Sequence, residues 1–295
     1  MNKISVFWGA AFALSAVAAI ATAQHRFRYH DETATEPLRL VSATVDPGEN
    51  IASVKEKGGK IKVTGNGIPD HLVGQFPNRG NPHQIETQKV KLKLPANPTA
   101  NGTFTPLRMG WNFGVSLNGV VFDPLAAEFW HGDPGSGWSY NALGGAIALG
   151  LDANYAHVQP NGKYHYHGVP TGLIELLGWS PSDHSPLIGY AADGFPIYAM
   201  TGKIDGKVTE MKSSYRLKSG NRPGGSQPNG RYDGTFNEDY TYVQGHGNLD
   251  QCNGAFTVSA EYPSGTYAYF LTEDYPVVPR CFMGTPDQNF KFGRQ

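Results

Sequence analysis

The sequence predicts an all-β or β-rich α+β fold, a sandwich or barrel built from two related β units with one disulfide. Three observations carry that expectation: short strand-like runs between Gly/Pro turns, a weak internal repeat, and two cysteines near the C-terminal end.

The strand-like runs are Leu38–Val45, Lys60–Val63, Lys89–Leu94, Gly114–Phe122, Tyr164–His167, Ile188–Tyr198 and Gly265–Thr272. Turn sequences such as "DPGEN", "PNRGNP", "PANPTANG" and "DPGSG" punctuate them. Few segments carry helical periodicity. Asn141–Gly150, "NALGGAIALG", reads as a short helix or a buried Gly-rich passage. Ser219–Gly234 reads as a long Gly/Pro loop that covers or borders a site.

The repeat pairs "GVSLNGVVFDP" (Gly114–Pro124) with "GYAADGFPIYA" (Gly189–Ala199), each with Asn-Gly or Asp-Gly inside an apolar run. Each copy continues with Leu-Asp, a Pro-x-Gly turn and a Tyr-x-Tyr strand, at Leu151–His167 and at Leu249–Phe270. "GNGIPDH" (Gly65–His71) echoes the first half once more. The expected units span about residues 65–187 and 188–284, inside one domain over 37–295.

The N-terminus sets the expected compartment. Lys3 is followed by an apolar run from Ile4 to Ile20, about 17 residues and short for a membrane span. Ala21-Thr22-Ala23 then offers a cleavage site, so residues 1–23 read as a secretory signal peptide with cleavage after Ala23. The polar residues 24–36 read as a flexible segment. No later run is long and apolar enough to span a bilayer. Removing Lys3 with the signal takes the formal charge from −1 to −2. Near-neutral charge without a basic run argues against nucleic acid or an anionic membrane surface as partner. In an oxidising compartment Cys252 and Cys281 are expected to pair. A bridge closing about 30 residues stabilises by on the order of 3 kcal/mol.

The chemistry concentrates in "AHVQPNGKYHYHG" (Ala156–Gly168). If Pro160-Asn161-Gly162 is a three-residue hairpin loop with Gly in the left-handed position, Gln159 pairs with Lys163 and His157 faces His165. Side chains alternate along a strand, so His157, His165 and His167 share one face. Tyr164, Tyr166, Val158 and Ala156 take the other. Three neutral imidazoles bind a divalent ion at about 2.0–2.1 Å and leave a fourth position open. The donor set favours Cu or Zn, admits Mn, Fe or Ni, and disfavours Ca and Mg. The convergence depends on register, because a two-residue Asn-Gly loop turns His157 to the opposite face.

The second copy serves as an internal control. With Pro263-Ser264-Gly265 as its loop, Ala260 takes the place of His157, while Ala268 and Phe270 replace His165 and His167. Tyr267 and Tyr269 are kept. The tyrosines therefore read as structural and the histidines as one functional unit.

Asp193 is the expected carboxylate partner, as a further ligand or by orienting an imidazole; its alternative is a turn or bulge residue beside Gly194. Asp152 has a counterpart in Asp250 and reads as a turn residue. His131 and His184 are candidate extra ligands, with weaker claims for His71, His83 and His246. His25 would chelate copper only as the first residue of the mature chain. No G-x-S-x-G, P-loop or H-E-x-x-H occurs. Glu128 and Asp133 form an unanchored carboxylate pair. Trp111, Trp130, Trp138 and Trp179 either line a carbohydrate groove or fill the core.

"YHYHG" (Tyr164–Gly168), "DGFPIY" (Asp193–Tyr198) and "LDQCNG" (Leu249–Gly254) together resemble the bacterial YHYH-domain family, over about Gly65–Gly284. The family motif often ends "DGFPIYG", where this chain has Ala199. The resemblance implies a secreted or surface-associated protein and assigns neither activity nor metal. The expected function is transition-metal binding in the periplasm or outside the cell. The alternatives are a metal-dependent hydrolase or oxidoreductase using the open position, and a glycan-binding or adhesion module without metal. The expected partners are a metal ion and an unknown small molecule or glycan.

Overall fold

The computed structural model describes residues 38–292. The expected signal peptide, its cleavage point, His25 and the segment 24–36 lie outside the described residues.

A three-stranded antiparallel sheet comes first: β1 (Ser53–Glu56), β2 (Lys60–Gly65) and β3 (Val90–Pro95). β4 (Thr105–Pro106) pairs with the last strand, β17 (Cys281–Phe282). The centre is an eight-stranded mixed sheet. Its first half holds β5 (Gly114–Ser116), β6 (Val121–Phe122), β7 (Ala156–Val158) and β8 (Tyr164–Tyr166). Its second half holds β9 (Gly189–Ala191), β10 (Pro196–Ala199), β15 (Gly254–Thr257) and β16 (Thr266–Leu271). Two hairpins intervene, β11 (Thr201–Ile204) with β12 (Lys207–Glu210), and β13 (Tyr215–Leu217) with β14 (Tyr240–Tyr242). A short helix spans Thr171–Leu176.

The strand order β15-β16-β10-β9-β5-β6-β8-β7 reads alike outward from the β9–β5 junction. Each half runs through an antiparallel hairpin, a parallel step and an antiparallel outer strand. The sheet is open, with β15 and β7 as its edges, and does not close into a barrel. Equivalent residues make equivalent bonds. Tyr164 Oη donates to Asp152 Oδ2 at 2.7 Å, and Tyr267 Oη to Asp250 Oδ2 at 3.0 Å. Asn118 donates to Tyr166 Oη at 2.9 Å, and Tyr269 Oη donates to Asp193 at 2.5 Å. A buried hydroxyl left unserved is costly, so these pairs are what permits tyrosines inside the core.

One face of the sheet carries the main core, including Phe122, Tyr164, Tyr166, Ile197 and Tyr269. The opposite face of the second half carries a smaller apolar cluster of Leu187, Tyr198, Met211, Leu249, Ala268 and Phe270, with Ala255 packed against it.

Several elements differ from expectation. Leu38–Val45 makes only isolated bridges, through Val41 and Val45, because no neighbouring strand runs along it. Gly114–Phe122 and Ile188–Tyr198 are hairpins and not single strands. They turn at Asn118-Gly119 and Asp193-Gly194, where the glycines sit at φ +83° and +96°. Asn141–Gly150 is a Gly-rich passage of turns and not a helix. The loop over Ser219–Gly234 is fastened by Arg222, which forms ion pairs with the half-buried Asp233 and the buried Asp239. Cys252 and Cys281 form the expected disulfide. Among the described residues, no helix is long and apolar enough to cross a membrane.

Candidate metal centre

The β7–β8 hairpin closes through Pro160-Asn161-Gly162. Gln159 N–H donates to the Lys163 carbonyl at 2.9 Å, and Gly162 sits at φ +80°. That loop length sets the pairs Ala156↔Tyr166, His157↔His165 and Val158↔Tyr164. Gly162 also passes so close to Glu86 that a Cβ there would lie 2.5 Å from that side chain.

The three imidazoles converge. His167 Nε2 lies 3.0 Å from His165 Nε2 and 3.1 Å from His157 Nε2. The ligand nitrogens all stand within 4.8 Å of one another, and His157, His165 and His167 are the one such His/Cys/Asp/Glu group among the described residues. Ring centroids are 4.7, 4.8 and 4.7 Å apart, a nearly equilateral arrangement.

The carbonyls beside the far sides of the His157 and His165 rings favour N–H on Nδ1. His157 Nδ1 donates to the Leu149 carbonyl at 2.8 Å and His165 Nδ1 faces the Lys163 carbonyl at 3.3 Å. His167 Nδ1 is buried without a well-formed bond, and the Pro124 carbonyl is the group that lies toward it. With N–H on these Nδ1 atoms, each Nε2 presents a lone pair to the others. Lone pairs at 3.0–3.1 Å repel unless a cation is shared between them. If His167 were instead protonated at Nε2, one N–H would face two acceptors and Nδ1 would oppose a carbonyl oxygen. Two nitrogens on one tetrahedral ion stand about 3.3 Å apart. The two spacings to His167 are close to that value and the third is within 4.8 Å, so the residues fit a divalent transition metal.

Electrostatics favour the neutral ligand form. Burial holds the His165 and His167 pKa values well below the ordinary 6.5, reinforced by the neighbouring histidines, by Lys163 for His165 and by Arg280 for His167. Burial lowers His157 too, against the raising effect of its Leu149 bond.

Asp193 is not part of this group. It lies in the second half, where its carboxylate accepts from Tyr269 Oη at 2.5 Å and from Gly284 N–H at 2.9 Å. It occupies the place of Asn118 and serves a tyrosine, so the turn alternative is the one the geometry realises. The counterpart of His157 also differs from expectation. Ala255 pairs with Ala268 as His157 pairs with His165, so Ala255, and not Ala260, takes that place. The second hairpin has a longer loop, which displaced the alignment from the turn.

The remaining histidines lie elsewhere. His71 contacts Tyr166 Oη at 2.7 Å, His184 contacts Thr257 Oγ1 at 3.1 Å, and exposed His131 stacks on Trp130. His246 is exposed. His83 lies near enough to His157 to help lower its pKa. Trp138 is buried edge-on to Phe236, Trp179 donates to the Ala199 carbonyl at 3.0 Å, and Trp111 packs on the main core. These are core roles.

Sequence reasoning missed Asp123. β6 runs parallel to β8 with Val121↔His165 and Phe122↔Tyr166, and Asp123 N–H continues the ladder to the Tyr166 carbonyl at 2.9 Å. Asp123 is therefore next to His167 in register, and alternation puts its side chain on the histidine face. Burial raises its carboxyl pKa to about 6, opposed by Lys163, Arg280, the Leu125 N–H and Gln159. The available signal was the repeat, where Asp123 stands opposite Tyr198.

Residues 91–284 match the family model described as "YHYH protein". The chain belongs to the YHYH protein family. No curated protein and no solved structure matches it. The family's name-giving residues divide in this member into two buried tyrosines on the core face and two histidines on the opposite face.

Proposed function

We propose that this YHYH protein binds a divalent transition metal, copper or zinc, through His157 Nε2, His165 Nε2 and His167 Nε2. The observation that carries the reading is the convergence of three imidazoles, with His167 Nε2 at 3.0 Å from His165 Nε2 and 3.1 Å from His157 Nε2 and all ligand nitrogens within 4.8 Å of one another. Imidazole donors suit copper and zinc, with manganese, iron and nickel also compatible. When bound, the metal supplies a Lewis-acidic open position. The chain's own part is to hold the three rings by their Nδ1 contacts and to keep them unprotonated by burial.

We place the protein in the periplasm or outside the cell, after cleavage following Ala23. The Cys252–Cys281 disulfide supports that reading. The domain is read as residues 37–295, with units over about 65–187 and 188–284. The strand order that reads alike from its centre supports the division.

The test is metal analysis of the purified protein beside a His165→Ala/His167→Ala variant. One equivalent of copper or zinc in the parent and none in the variant is expected. Equal metal in both removes the basis of the reading.

A further inference from the structure

We propose that Asp123 is the water-holding carboxylate of the three-histidine centre, accepting a hydrogen bond from water at the open position. This rests on the metal-binding reading above. The first observation is placement. Asp123 follows Phe122 out of β6, sits beside His167 in register, and shares the face of His157, His165 and His167. It is nearly fully buried, at 6% exposure, so its carboxyl has the protein interior and the metal face to interact with. It does not belong to the group of ligand atoms within 4.8 Å of one another.

The second observation is independent and comes from the other half of the sheet. Structural residues recur there: Asp152 as Asp250, Tyr164 as Tyr267 and Tyr166 as Tyr269. The face residues do not. His157, His165 and His167 become Ala255, Ala268 and Phe270, and Asp123 becomes Tyr198, all in or against one apolar cluster. The Tyr198 hydroxyl bonds Ser259 Oγ at 2.7 Å and Glu261 Oε2 at 3.1 Å, so the counterpart position keeps a polar atom but no carboxylate on the sheet face. It differs together with the histidines.

The third observation is the setting. Gln159 Nε2 donates to Asp123 Oδ2 at 3.2 Å, while the buried Gln159 Oε1 has no hydrogen-bond partner. Gln159 lies two residues beyond His157 on the same face. An acceptor without a donor on this face is a second contact available to a small polar ligand such as water.

The test uses cobalt(II)-loaded full-length protein, with azide displacing water at the open position and visible absorption as the readout. Asp123→Asn is expected to bind cobalt with unchanged stoichiometry. It is expected to take azide at least ~5-fold more tightly, because a neighbouring negative charge no longer opposes the anion. Asp123→Glu keeps the charge and is expected to stay within ~2-fold of the parent. If Asp123→Asn does not fold by circular dichroism, Asp123→Ser takes its place with the same expected gain. Unchanged azide affinity in the neutral variant overturns the proposal. So does a loss of cobalt affinity beyond ~10-fold, which makes Asp123 a direct ligand. A parent protein that takes up no cobalt overturns the metal reading itself, a result visible before azide is added.

Discussion

His157 faces His165 across the β7–β8 pair, with ring centroids 4.7 Å apart and planes at 62°. Both rings point their Nδ1 atoms at backbone carbonyls, of Leu149 and Lys163, and both Nε2 atoms point toward His167. For these two rings the backbone carbonyls thus favour Nε2 as the donor atom. The hairpin supplies all three rings, so the centre requires correct closure of one loop and little else in the way of assembly.

Each of His157→Ala, His165→Ala and His167→Ala should lower metal affinity by more than ~100-fold, beyond what loss of an outer-shell partner costs. Competition with a coloured chelator measures this. Asp193→Ala should leave metal affinity unchanged. It should destabilise the fold by ~1–3 kcal/mol, because Tyr269 Oη and Gly284 N–H lose their acceptor. Reduced metal affinity in a folded Asp193→Ala variant would contradict the placement of that residue.

The second half of the sheet shows what the histidine face looks like without a centre. A His157→Ala/His165→Ala/His167→Phe variant reproduces Ala255, Ala268 and Phe270 at the equivalent places. It should fold, bind no metal, and match or exceed the metal-free parent in urea stability, because three buried imidazoles give way to apolar side chains. Near-ultraviolet circular dichroism and urea titration read both. A molten or unfolded variant would show that the imidazoles hold the sheet together.

The same variant isolates a pH effect in the metal-free protein. The folded-state pKa values of His157, His165 and His167 are lowered by burial. As pH falls through about 6.5, the unfolded chain takes up these protons and the folded chain does not. More protons on the unfolded state means that acidification lowers stability. The contribution is fully present above pH 6.5 and is lost as pH falls toward the lowered values. Asp123 works in the opposite sense: its raised carboxyl pKa costs stability as pH rises from the unfolded value toward about 6. Between pH 7.5 and 5.5 the parent should lose up to about 1.4 kcal/mol more per histidine than the variant. Parallel pH profiles for the two proteins would be the contrary result.

What could be read from the sequence was local. Pro160-Asn161-Gly162 defines a loop whose length sets the His157 register, and alternation then separates histidines from tyrosines. Asp123 stayed hidden because it reaches the site through the parallel β6–β8 pairing, a contact between segments more than forty residues apart that no local pattern announces. Asp193 stands out in the sequence because Asp-Gly interrupts an apolar run, and in the fold that interruption is a hairpin turn. Counting back from the turn points to Ala260, and such counting fails when the two loops differ in length.

Cys252 illustrates how the halves diverge outside the site. Its backbone N–H donates to Asp250 Oδ1 at 2.8 Å, as Asn154 N–H donates to Asp152 Oδ1 at 2.9 Å. In the first half this loop is fastened by the Asn154 side chain, which donates to the Leu72 carbonyl at 3.0 Å and accepts from Gly172 N–H at 2.8 Å. In the second half the fastening is covalent, from Cys252 to Cys281 at the start of β17. Reduction should therefore cost on the order of 3 kcal/mol, the closure entropy of a loop of that length. It should leave metal affinity unchanged, since the histidines belong to the other half. Urea titration and metal analysis, each with and without reductant, check both statements. Metal lost on reduction while the fold persists would show that the halves are coupled through the sheet.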